Sequence, residues 1–227
     1  FIDKPMLEEF PSRLNIQVKE NRAFVSWDKI PCSSIYGPIE YAINVTNFKT
    51  NATQQFFQRE NTIPIRDLEP YTLYTLQIKT GRSIKNIDEK TDAITSSFTT
   101  QPGRASAVQN FELYSVDKNS VSFRYELPRN SKGIPVAGQV TRCNDITFKK
   151  CKTANFDITR CKLWPKKYCM DVNNLIPNQK YTFRVSIRND GTQFYGDEVK
   201  AEAFLDEQGK KALCINMRGL HNGRFRE

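Results

Sequence analysis

Hydrophobic and polar residues alternate with a period of two along much of this chain. In "YAINV", Tyr41, Ile43 and Val45 fall on one side, and Ala42 and Asn44 on the other. "YTLQIK" sets Tyr74, Leu76 and Ile78 against Thr75, Gln77 and Lys79. "YTFRVSIR" sets Tyr181, Phe183, Val185 and Ile187 against Thr182, Arg184, Ser186 and Arg188. Successive side chains of a strand point to opposite faces, so this alternation predicts half-buried strands of antiparallel sheets. No apolar stripe at helical spacing runs for three turns. Turn-forming residues recur between the strands, at Asp28-Lys29, Gly37-Pro38, Glu69-Pro70, Pro128-Arg129-Asn130 and Asn189-Asp190-Gly191. Short strands punctuated in this way predict an all-β fold of sandwiches.

The pattern repeats. "LEPYTLYTLQI" from Leu68 and "LIPNQKYTFRV" from Leu175 both read Leu-x-Pro-x-x-x-Tyr followed by alternating apolar positions, and "AFVSWD" around Trp27 matches "SVSFRY" around Phe123. In these residues the chain resembles the fibronectin type III family. The resemblance implies two tandem fibronectin type III (immunoglobulin-like) β-sandwiches. It places the apolar-x-Trp element on strand B and the Leu-x-Pro turn before strand F. It also makes Tyr74 and Tyr181 corner tyrosines, whose hydroxyls bond backbone upstream. Phe123 stands where the pattern has tryptophan. "TTQPGRASAVQN" reads as a domain end and short linker, giving domains at 1–102 and 103–206, with 207–227 a tail or the start of a membrane-proximal region. Trp27 to Tyr74 spans 47 residues and Phe123 to Tyr181 spans 58, so the second domain is expected to be 11 residues longer between strands B and F.

That interval holds the unusual chemistry. Cys143, Cys151, Cys161 and Cys169 lie in it, with Cys32 and Cys214 left over. Their spacings do not match zinc-ligand motifs, the single histidine is His221 in the tail, and no metal or cofactor is implied. Disulfides, and with them an oxidising compartment, are the expectation. Sequential pairing (Cys143 with Cys151, Cys161 with Cys169) and nested pairing (Cys143 with Cys169, Cys151 with Cys161) both fit four cysteines, the sequential scheme being preferred. Sequons at Asn44 and Asn51 agree with that compartment. From Arg142 to Cys169 the basic residues are Arg142, Lys149, Lys150, Lys152, Arg160, Lys162, Lys166 and Lys167, against Asp145 and Asp157. This is a net +6, where the whole chain carries +9. "FKKCKT" fits the x-B-B-x-B-x pattern associated with heparin-binding proteins, where B is basic. The expected site is therefore a polyanion patch of Lys149, Lys150, Lys152, Arg160, Lys162, Lys166 and Lys167, with an exposed Trp164 as interface anchor.

No G-x-S-x-G, P-loop, H-E-x-x-H or dinucleotide fingerprint occurs, so catalysis is not expected in this segment. No apolar run approaches the ~20 residues that span a bilayer, and no signal-peptide pattern opens the chain, as befits a mature or trimmed segment. The expectation is an extracellular, cell-surface binding or adhesion segment of a receptor resembling receptor tyrosine phosphatases, whose parent is membrane-anchored. Its partner would be an extracellular protein ligand or a sulfated glycosaminoglycan such as heparan sulfate; nucleic acid fits that compartment poorly. A spacer within a longer receptor is the alternative. A helical-cytokine receptor pair is similar in outline, but its Trp-Ser-x-Trp-Ser motif is missing and the cysteines crowd the wrong domain. The long 80–92 connection is a second candidate loop, and Arg224-Phe225-Arg226 a candidate basic cleavage site.

Overall fold

The computed structural model describes residues 13–29, 39–81, 93–144 and 151–206. Lys149, Lys150, Cys32, Cys214, most of the 80–92 connection and the tail from residue 207, with Arg224 to Arg226, lie outside the described residues. The chain divides into two compact units, 1–102 and 103–227. No helix occurs among the described residues, and every strand pairing is antiparallel.

The first unit contains β1 (Asn15–Val18), β2 (Ala23–Ser26), β3 (Glu40–Asn47), β4 (Thr53–Gln58), β5 (Thr62–Ile65), β6 (Leu73–Gly81) and β7 (Ala93–Thr99). They form a sheet β1-β2-β5 and a sheet β4-β3-β6-β7. The predicted inward residues Tyr41, Ile43, Val45, Tyr74, Leu76 and Ile78 are all buried between them, with Val25, Trp27, Ile63 and Ile65. Ala42, on the outward side, is buried as well. It sits in a central strand, paired directly with Phe57 on one side and Lys79 on the other.

The second unit contains β8 (Gln109–Val116), β9 (Val121–Glu126), β10 (Pro135–Cys143), β11 (Cys151–Phe156), β12 (Thr159–Arg160), β13 (Tyr168–Val172), β14 (Gln179–Asn189) and β15 (Val199–Leu205). Its sheets are β12-β13-β9-β8 and β11-β10-β14-β15. Apart from β12, this is the strand order of the first unit over again. Phe123, Tyr125, Phe183, Val185, Ile187 and Leu205 fill the core.

Both corner tyrosines behave alike. The Glu69 N–H donates to Tyr74 Oη at 2.8 Å, and the Ile176 N–H donates to Tyr181 Oη at 3.0 Å. Leu68 and Leu175, which open the two motifs, are buried. In each copy the residues one before and three after this leucine adopt left-handed backbone: Asp67 and Tyr71, Asn174 and Asn178, with φ between 50° and 58°. Three of the four are Asp or Asn, which tolerate that region; Tyr71 is the exception.

Strand register corrects one expectation. Ile65 pairs with Ala23 and lies three residues before Leu68; Val172 pairs with Val121 and lies three before Leu175. Val25 therefore corresponds to Phe123, and the counterpart of Trp27 is Tyr125. The sequence match slipped by two because alternating strands align equally well at any even offset. With Tyr125 as the reference, the second unit is longer by 9 residues rather than 11 between strands B and F.

Candidate binding surface

The excess charge belongs to one unit. Residues 1–102 carry twelve Lys and Arg against twelve Asp and Glu, so the chain's +9 resides in 103–227. Within that unit the extra length falls between β11 and β13: the first unit crosses from β4 to β5 through residues 59–61, where the second uses 157–167. This segment forms the short strand β12, then reverses so that Tyr168 returns beside Arg160.

Its turn is encoded in "WPKK". The Lys167 N–H donates to the Trp164 carbonyl at 2.9 Å, closing a β-turn with Pro165 at its second position, where a fixed φ suits the turn. Below it the Cys161 N–H donates to the Lys167 carbonyl, and the Cys161–Cys169 disulfide ties the hairpin's two arms. The other disulfide, Cys143–Cys151, crosses from β10 to β11 between directly paired residues. The pairing is thus sequential, and the two bridges do different work. The first closes an ordinary hairpin also present in the first unit; the second orders the segment peculiar to this one.

Trp164, expected as an exposed anchor, is half-buried and engaged within its own domain. Its ring meets Tyr114 edge-on at 5.1 Å, and the Arg124 guanidinium stands 4.6 Å from the ring centroid. Beside them Glu112 accepts from Arg124 Nε at 2.7 Å and from Lys167 Nζ at 3.3 Å. The Arg124 bond holds the Glu112 carboxyl below the usual glutamate range; partial burial opposes it, and Lys167 reinforces it. Tyr114, Arg124, Glu112, Trp164 and Lys167 thereby fasten the hairpin to the outer face of β8 and β9.

The expected polyanion residues separate accordingly. Lys167 is spent on Glu112. Arg160 donates to the Pro165 carbonyl at 2.7 Å and lies over the Tyr168 ring. Lys162 and Lys166 are exposed near the turn. Lys152 is on β11, in the other sheet, paired with Arg142. Arg142 donates to the Asn173 carbonyl, so it secures the loop before β14. Missed from sequence was Leu163, 79% exposed between Lys162 and Trp164. The signal available was its position in a turn segment too short to bury it. A cleft of about 610 Å³ runs along the hairpin, lined in part by Tyr114, Phe156, Arg160, Leu163, Trp164 and Met170.

The two sequons differ in setting. Asn51 is exposed in the β3–β4 turn with φ 57°. Asn44 is half-buried in the middle of β3, and its Nδ2 donates to Gln77 Oε1 at 3.4 Å.

No family model matches the chain. Over 121 residues, 53% of its length, it is 26% identical to the phosphatidylinositol phosphatase PTPRQ of Rattus norvegicus; the matched part is 5% of that protein. Similar solved structures include a two-domain fibronectin type III segment of chicken tenascin, at 13% identity over 85% of this chain and 97% of that one, TM-score 0.39. They also include the FN1–FN3 domains of chicken CNTN1, at 14% identity over 86% of this chain and 67% of that one, TM-score 0.38. The repeated strand order and the paired corner tyrosines carry the fold assignment within this chain.

Proposed function

Taking the chain as two tandem fibronectin type III sandwiches, related to those of receptor and adhesion proteins, we propose that this non-catalytic pair is an extracellular ligand-binding segment of a membrane-anchored receptor. Its 160–167 hairpin takes an acidic protein surface. The observation that carries this is Leu163, held in the open between Lys162 and Lys166 on a segment fixed by a disulfide and by Trp164. An exposed apolar side chain ringed by cations suits a partner with an apolar pocket and carboxylates around it. A sulfated glycan would use the cations but not Leu163. A spacer needs neither. Two disulfides and the exposed Asn51 sequon support the compartment. The partial similarity to a phosphatase supports a receptor-phosphatase parent.

The test is binding of the fluorescently labelled chain to cultured cells before and after heparinase. Binding that survives heparinase and is lost in Leu163→Ser and in Lys162→Ala/Lys166→Ala is the expected result. Binding lost to heparinase and indifferent to Leu163→Ser assigns the surface to sulfated glycans instead. No binding by the wild-type chain leaves the spacer role.

A further inference from the structure

We propose that the outer edge of β4 is a self-association edge, at which a second copy of this chain adds its own β4 antiparallel about a two-fold axis. An edge strand offers a row of unpaired backbone groups, and folded proteins guard such rows with charge, proline, brevity, bulges or a covering element. The other described edges carry such guards. β1 and β5 have four residues each, and β5 contains Pro64; β12 has two. β8 has register shifts and Glu112, β11 has Lys152 and the disulfide, and β15 has Lys200 and Glu202. β7 runs beside β1, and β15 beside β8.

Among the described residues β4 has none of these; only the Gln54 and Gln58 side chains reach across, to the carbonyls of Arg66, Glu60 and Thr62. Its sequence is "TQQFFQ", with no charge, glycine or proline, and its register with β3 is regular from Thr46↔Thr53 to Tyr41↔Gln58. Among the described residues its backbone hydrogen-bonds only to β3. Six uncharged residues, of which Thr53, Phe56 and Phe57 have high β-propensity, suit strand addition at an edge without a backbone partner among the described residues. What selects a second copy is charge. The edge is neutral, and so is its whole unit, so two first units approach without repulsion while a charged partner strand finds no complement. A two-fold axis normal to the sheet keeps Gln55 and Phe57 on the outward face of both copies. Phe57, 46% exposed in one copy, then packs against the outward face of its counterpart.

The experiment is sedimentation equilibrium of the full chain, made in a host that adds no N-glycans, since Asn51 adjoins this edge. Wild type is compared with Gln55→Lys/Phe57→Lys and with the milder Phe57→Thr. Both positions are exposed, and thermal unfolding checks that the fold is retained. A monomer–dimer equilibrium is expected, weakened at least ~tenfold by the double lysine change, with amides of residues 53–58 gaining hydrogen-exchange protection in the dimer. A wild-type chain monomeric at ~200 µM, well above weak specific association, overturns the proposal. So does a dimer indifferent to the lysines, one held covalently on a non-reducing gel, or an open-ended polymer.

Discussion

The hydroxyls of Thr46 and Thr53 lie 2.9 Å apart across the β3–β4 hairpin, at the positions that the second unit gives to Cys143 and Cys151. Thr46 pairs with Thr75, the residue after Tyr74; Cys143 pairs with Thr182, the residue after Tyr181. One sandwich closes this hairpin with a hydrogen bond and the other with a disulfide. The Cα atoms of Cys143 and Cys151 are 4.2 Å apart, the close spacing of a non-hydrogen-bonded antiparallel pair.

Thr46→Cys with Thr53→Cys should therefore oxidise spontaneously to a disulfide in the first unit. Non-reducing peptide mapping reads the bond, and chemical denaturation should show a gain of about 2 kcal/mol for so short a loop. Persistently free thiols at 46 and 53 would show that the two hairpins are not equivalent.

Tyr125 is fully buried, and its hydroxyl has no hydrogen-bond partner among the described residues. Trp27, its counterpart, buries its indole N–H in the same way. Both rings are held for their apolar bulk. Tyr125→Phe should leave stability unchanged or raise it by up to about 1 kcal/mol, because no bond is lost and a desolvated hydroxyl is removed. A loss above about 1 kcal/mol in urea unfolding would reveal a partner for that hydroxyl. Burial, reinforced by the neighbouring Tyr168, pushes the Tyr125 phenol far above its usual range. The folded state then retains a proton that the unfolded state gives up. Stability should accordingly fall as pH rises past about 10, and the fall should be smaller in Tyr125→Phe.

Glu112 has the opposite sign. Its carboxyl is depressed by Arg124 in the folded state, so its contribution is present above the unfolded glutamate pKa and is lost as pH falls through the folded value. The group is about a third exposed, which limits the contribution to no more than about 1 kcal/mol. Glu112→Gln should flatten that acid limb of the stability curve. It should also loosen the hairpin, read as increased hydrogen exchange at the Lys167 amide. An unchanged acid limb would mean that Arg124 and Lys167 do not hold the carboxylate.

The strands were legible because alternation reports burial one residue at a time, and the corner tyrosines because Leu-x-Pro and Tyr sit within a few residues of each other. What escaped depends on contacts between distant segments. Nothing local to Arg124 or Tyr114 says that Trp164 packs against them. The two disulfides looked like staples of one insertion. The match of Cys143 to Thr46 is hidden, because residues added between β11 and β13 change its distance to the corner tyrosine. The register error at Tyr125 came from the same periodicity that made strand B recognisable.

Gly138 and Phe156 give the strongest test of that register. In the first unit the ring that meets the strand B aromatic comes from β3: Tyr41 stands edge-on to Trp27 at 5.0 Å, opposite Gln58. In the second unit the corresponding β10 residue is Gly138, and the ring comes from its cross-strand partner Phe156, 6.4 Å from Tyr125. The Phe156 ring lies on the glycine so closely that an added Cβ would fall 2.1 Å from its Cζ. Gly138→Ala must therefore displace Phe156, at a cost of about 1–3 kcal/mol. With Phe156→Leu already present, the smaller side chain leaves room, and the added cost of Gly138→Ala should drop by at least half. A double-mutant cycle followed through the urea midpoint of the second unit measures this coupling. Additive costs would show that glycine is needed there for its backbone alone, and that the aromatic partner has not changed strands.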